Sequence, residues 1–67
     1  MKIDRKKYLL ERARSRKTQQ DLLAAGLSRG TITRINKGGV EMLPETIGKV
    51  AMVFGCDVMD LIDYDTL

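Results

Sequence analysis

Three observations in this 67-residue chain predict an all-α fold of five short helices. Thr18 and Ser28, both good helix-capping residues, each stand immediately before a run with helical apolar spacing. Ile47, Val50, Ala51 and Phe54 recur at i, i+3, i+4 and i+7, the stripe by which a helix faces a core. Gly26, Gly38-Gly39 and Gly55 fall where these patterns stop, in the place of helix-ending glycines.

The elements follow in order. Asp4 is placed to cap a first helix running to about Ser15. Tyr8, Leu9 and Ala13 are expected on its inner face, with Leu10 at the border. Thr18-Gln19-Gln20-Asp21 opens the second helix, and Asp21 gives a shorter version of the capping box that Glu or Gln completes. Leu22, Leu23 and Ala25 supply its buried side. Ala25-Gly26-Leu27 is a turn in which Gly26 is free to take positive φ. Ser28 caps a third helix to Lys37, which Gly38-Gly39 ends. Pro44 suits the first turn of a fourth helix. Gly48 inside it costs roughly 1 kcal/mol against Ala, which close approach of another helix would explain. Asp57 caps a short fifth helix carrying Val58, Leu61 and Ile62.

At this length the chain is one domain, residues 1–67, near the lower size at which a core suffices without metals or disulfides. Cys56 is the only cysteine, so no intrachain disulfide forms, and it reads as a small apolar residue rather than a reactive thiol. The four methionines read as gap-fillers or surface. No segment approaches the ~20 apolar residues of a membrane span, and no signal-peptide pattern is present. The expectation is a cytoplasmic protein with no membrane association. There is no histidine, and the acids lack metal-ligand spacing. No glycine-rich phosphate loop follows a strand. No enzyme activity, cofactor or metal is expected.

The net charge of +3 conceals an asymmetry. Residues 1–37 hold eleven basic and three acidic side chains, whereas residues 38–67 hold one basic and six acidic. Such a field steers a polyanion to the first half and away from the second. Ordinary charge scatter is the alternative.

The third helix lies in the basic half. At ~100° per residue, Arg29, Gly30, Thr33, Arg34 and Lys37 fall within ~140° of arc, and Ile32 and Ile35 point the other way. Arg can reach guanine O6 and N7, Thr can touch a thymine methyl, and Lys can neutralise phosphate. Gly30 allows the backbone to approach a base pair closely, or it reflects drift at a surface position. Taken alone, the face also describes a solvated basic helix. The preceding segment matters because two short helices joined by a three-residue turn containing Gly match a helix-turn-helix, here spanning about residues 18–37. Arg14, Arg16 and Lys17 lead into it as candidate phosphate contacts, or as cations at a helix end.

Residues 13–62 resemble the lambda-repressor/Cro-like helix-turn-helix family, also called the xenobiotic-response-element (XRE) family. The similar stretches are Thr18-Gln19-Gln20-Asp21-Leu22, Gly26-Leu27-Ser28-Arg29-Gly30-Thr31-Ile32, Pro44-Glu45-Thr46-Ile47-Gly48-Lys49-Val50-Ala51 and Phe54-Gly55-Cys56-Asp57-Val58-Met59-Asp60-Leu61-Ile62. The chain departs from the family pattern twice. Leu22 to Gly26 is one step shorter than usual, and Asn36 stands where the family often has Glu paired with an Arg on the first helix, here Arg12. A hydrogen bond between Arg12 and Asn36 would replace that ion pair. The resemblance implies a compact lambda-repressor-like bundle of five helices that binds double-stranded DNA.

Together these readings give a DNA-contacting set of Gln19, Ser28, Arg29, Gly30, Thr31, Thr33, Arg34 and Lys37. Within it, Arg29, Gly30, Thr33 and Arg34 are expected at base edges, and Gln19 and Lys37 at phosphate. The expected function is a sequence-specific transcriptional regulator, a small repressor of phage or mobile-element type without a separate sensor domain. The alternative is an antitoxin-like module of the same fold that binds a toxin partner. A weak homodimer through the C-terminal region is expected, offered by Met59, Tyr64 and Leu67 and opposed by Asp57, Asp60, Asp63 and Asp65. A frayed acidic tail, residues 63–67, that only solubilises is the competing reading.

Overall fold

A computed structural model describes residues 1–66. It contains four α-helices: α1 (Arg5–Ser15), α2 (Gln19–Ala24), α3 (Arg29–Lys37) and α4 (Pro44–Phe54). One 3₁₀ turn, Val58–Asp60, and a second, Tyr64–Thr66, follow. Each helix start is set by its expected residue. Asp4 accepts a hydrogen bond from the Lys7 N–H at 3.1 Å, Ser28 accepts from Thr31, and Pro44 opens α4. At α2, the Thr18 N–H and hydroxyl both donate to Asp21 Oδ2, at 2.7 and 3.1 Å.

The turn between α2 and α3 has a definite chemical basis. Gly26 takes φ +97°. Its N–H donates to the Leu23 carbonyl, and the Leu27 N–H reaches back to Leu22. This pair of bonds satisfies the last carbonyls of α2 and throws Leu27 against Leu22, both of them buried. Ser28 follows at once, so α3 starts in a direction fixed by that contact.

The core is formed by Tyr8, Leu22, Ile32, Ile35, Ile47, Val50, Phe54 and Leu61 together with their buried neighbours. The Tyr8 and Phe54 rings meet at 5.7 Å between centroids. Truncating a fully enclosed aliphatic member to Ala costs ~2–5 kcal/mol, a large part of the stability of a small domain. The chain's N-terminal residues add a long-range clamp. Ile3 pairs with Ile62 and Lys2 with Glu41 as isolated antiparallel bridges. The Asp4 N–H donates to the Leu61 carbonyl, and the Asp63 N–H to the Lys2 carbonyl.

Four expectations are corrected. The fifth helix is a single 3₁₀ turn, capped by Asp57 as expected. It has no room to extend, because Ile62 is already committed to pairing with Ile3. On α1, only Tyr8 is buried, while Leu9 is 41% and Leu10 68% exposed and Ala13 is also exposed. Leu9 and Ala13 lie roughly 100° and 140° round the helix from Tyr8, and only the Tyr8 edge of that arc meets the core. Ala25 is exposed at the end of α2. At Gly48 a Cβ would meet nothing within 4 Å, so no close helix approach accounts for that glycine.

Candidate nucleic-acid interface

The Ser28 cap sets the rotation of α3. Ser28 Oγ accepts from the Thr31 N–H at 3.1 Å and lies 2.8 Å from Thr31 Oγ1. From that start, Ile32 and Ile35 enter the core, and Ile35 is 1% exposed. Arg29, Gly30, Thr33, Arg34 and Lys37 are all exposed, so the division of faces read from the residue spacing holds. The Thr33 hydroxyl donates to the Arg29 carbonyl at 2.9 Å, and Arg34 Nη2 makes a long 3.5 Å bond to Thr31 Oγ1. The side chains of Arg29 and Lys37 make no hydrogen bond or ion pair among the described residues. Thr31, half-buried beside its cap, lies at the margin of the exposed face.

Gly30 sits in the first turn of α3. A Cβ there would have only Ser28 Oγ nearby, at 4.0 Å. Among the described residues, nothing requires a glycine at this position.

The far end of α3 is held by α1. Arg5 Nε donates to the Asn36 carbonyl at 3.0 Å. Gly38 ends the helix at φ +76°, and a Cβ there would stand 3.0 Å from Arg5 Cβ. Arg5, rather than the expected Arg12, therefore joins α1 to this position. Arg12 lies beside Tyr8 instead. Burial pushes the Tyr8 hydroxyl above its ordinary pKa, and the Arg12 guanidinium opposes that shift. Tyr8 Oη is buried and completes no hydrogen bond among the described residues.

Between α2 and α3 lies a shallow groove of about 250 Å³, lined by Gln19, Leu23, Arg29, Ile32, Thr33 and Asn36. It brings together three of the expected contact residues: Gln19 from the start of α2, and Arg29 and Thr33 from α3. Leu23 and Asn36 were not anticipated. Asn36 had a signal in the sequence, since at ~100° per residue it falls only ~20° from Arg29. Elsewhere, Arg16 and Lys17 are exposed at the corner between α1 and α2. Arg14 is turned away to the carbonyl of Phe54, at 2.7 Å, and is not available there. Cys56 is half-buried, and burial followed by the nearby Glu11 carboxylate raises its thiol pKa, in keeping with a packing role.

No helix among the described residues is long and apolar enough to cross a membrane. The family profile of the Cro/C1-type HTH DNA-binding domain matches residues 7–66. No curated protein and no solved structure gives a match to the chain.

Proposed function

The chain belongs to the Cro/C1-type HTH DNA-binding domain family, and from that membership we propose that it is a sequence-specific transcriptional regulator, a small repressor that lays α3 in the major groove. The observation that carries this reading is the division of α3. Its apolar side is fully used by the core, and its cationic side is exposed next to the start of α2. Arg29 and Arg34 read guanine acceptors, Thr33 contacts a thymine methyl, and Gly30 lets the backbone come close. Lys37 and Gln19 take phosphate oxygens, Gln19 with the N–H groups of its helix start. Ser28 and Thr31 complete the set at the first turn of α3.

The operator is bound as a symmetric pair of subunits, because one small module makes few base contacts. The pairing surface is at the C-terminal side, where Met59 and Tyr64 are 55% and 46% exposed. The Tyr64 hydroxyl donates to the Met59 carbonyl at 2.7 Å, which makes the two one patch. Leu67, also expected there, lies outside the described residues. The acids around this patch repel across the axis, so the dimer is weak in solution and forms on DNA, with the two α3 helices ~34 Å apart.

Footprinting on the DNA upstream of the chain's own gene tests the reading. Protection of two half-sites, with a stoichiometry of two chains per duplex, is expected. No protection at moderate salt overturns it. A single chain on one half-site overturns the dimer alone.

A further inference from the structure

The α2–α3 groove has one polar side chain with no assigned role. Asn36 is half-buried in its wall, on the same side of α3 as Arg29. Its backbone is fixed, because Arg5 holds its carbonyl. Its carboxamide makes no hydrogen bond among the described residues, so an amide donor and an amide acceptor stand unused at the edge of a groove. Beside it the wall is apolar, formed by Ile32 one turn earlier and the half-buried Leu23 of α2.

A carboxamide offers a parallel donor and acceptor, the complement of adenine N6–H and N7. On the partner base of the same pair, the major groove carries the thymine methyl, which suits an apolar wall. Guanine presents two acceptors at that edge, so it cannot satisfy both amide groups at once. We propose that Asn36 is a specificity-determining residue that reads the adenine of one A·T pair, with the half-buried Leu23 receiving the methyl of its thymine. The inference rests on α3 lying in the major groove. Seven residues at 1.5 Å each put Asn36 about 10.5 Å along α3 from Arg29, far enough for the two side chains to read different base pairs.

The test starts from a pool of random-sequence duplex DNA, selected separately on the unaltered chain and on Asn36→Ala. The unaltered chain is expected to enrich a half-site with a fixed A·T pair and, at a separate position, a fixed guanine. Asn36→Ala is expected to lose the A·T preference and keep the guanine. On one enriched duplex, replacing that adenine by 7-deazaadenine should weaken the unaltered chain about 5- to 100-fold and Asn36→Ala less than about twofold. Replacing the thymine by uracil should weaken the unaltered chain about fourfold, the worth of one buried methyl. The base-analogue measurements use the unaltered chain, so they report the contact even where the substitution disturbs α3. An unchanged motif for Asn36→Ala, or an equal loss on every duplex, overturns the inference while leaving DNA reading by α3 intact. No enrichment by the unaltered chain overturns both.

Discussion

Helices α1 and α3 are both basic, and they use their charge in opposite ways. α1 carries the larger number of cations, Arg5, Lys6, Lys7, Arg12 and Arg14, against Arg29, Arg34 and Lys37 on α3. Three of the α1 cations donate to main-chain carbonyls at the ends of other segments. Arg5 bonds Asn36, Lys7 bonds Ile62 at 3.0 Å, and Arg14 bonds Phe54. The Lys7 ammonium also sits 3.9 Å from the centre of the Tyr64 ring, and Arg14 pairs with Glu11 at 2.6 Å. α1 buries only one side chain, so it docks largely through these bonds and the aliphatic stems behind them. α3 docks through Ile32 and Ile35 and keeps its cations for solvent or a partner. Counting charge therefore does not locate a polyanion site. What locates it is which cations the fold has left uncommitted.

The largest expected effect comes from breaking the α3 side of this contrast. Arg34→Ala should weaken operator binding by ~1–3 kcal/mol and relax preference at one base pair. Lys37→Ala should weaken all sequences alike and flatten the salt dependence by about one unit of slope. Both variants should melt at the temperature of the unaltered chain. Titrations at several salt concentrations, with melting curves alongside, check this. Unchanged affinity for both at moderate salt would show that α3 is a solvated basic helix after all.

Arg14→Ala probes the other side. It removes the ion pair with Glu11 and leaves the Phe54 carbonyl without its donor. The expected result is a lower melting temperature with operator affinity unchanged under conditions where the variant is folded. A loss of affinity at constant stability would return Arg14 to the DNA-contacting set and weaken the contrast.

Smaller effects come from two helical glycines. Gly48→Ala should stabilise the chain by up to ~1 kcal/mol, since the added Cβ meets open space. Gly30→Ala should stabilise less, being in the first turn, where fewer helical bonds depend on it. The two positions separate when a longer side chain is added. Gly30→Gln should impair operator binding at unchanged stability, whereas Gly48→Gln should leave binding alone. Equal operator affinity for Gly30→Gln and the unaltered chain would remove the case for close backbone approach at Gly30.

The same contrast explains what was legible in the sequence. α2, α3 and α4 could be read closely because their limits are set by local chemistry: Thr18 with Asp21, Ser28, Pro44, and the glycines at 26, 38 and 55. The faces of α3 followed from periodicity alone. α1 was misread because apolar spacing carries little information in a helix that docks through charged side chains. The bridges of Ile3 to Ile62 and Lys2 to Glu41 join residues far apart in sequence, and no local signal marks them. The committed state of Arg14 and the free carboxamide of Asn36 are likewise tertiary facts. Each depends on where another element's carbonyl comes to lie.

The smallest expected effect concerns the start of α2, which presents Gln19. The Asp21 carboxyl is held below the usual carboxylate range, first by the Thr18 N–H, then by the Thr18 hydroxyl, with a lesser contribution from Lys17. A carboxyl whose pKa is depressed by folding adds stability above its unfolded pKa and loses it as pH falls through the folded value. The contribution of Asp21 is therefore complete at neutral pH and fades only below about pH 4. Glu41 is also held low, by the chain's terminal ammonium, and titrates in the same region. A bare acid titration would mix the two. The difference between the unaltered chain and Asp21→Asn separates them, since Glu41 is common to both. That difference in melting temperature should be present at pH 7, constant down to about pH 5, and smaller at pH 3. A gap that stays constant to pH 3 would mean that the ionised carboxylate contributes nothing beyond what its shape does, and that the α2 cap is held by the turn rather than by charge.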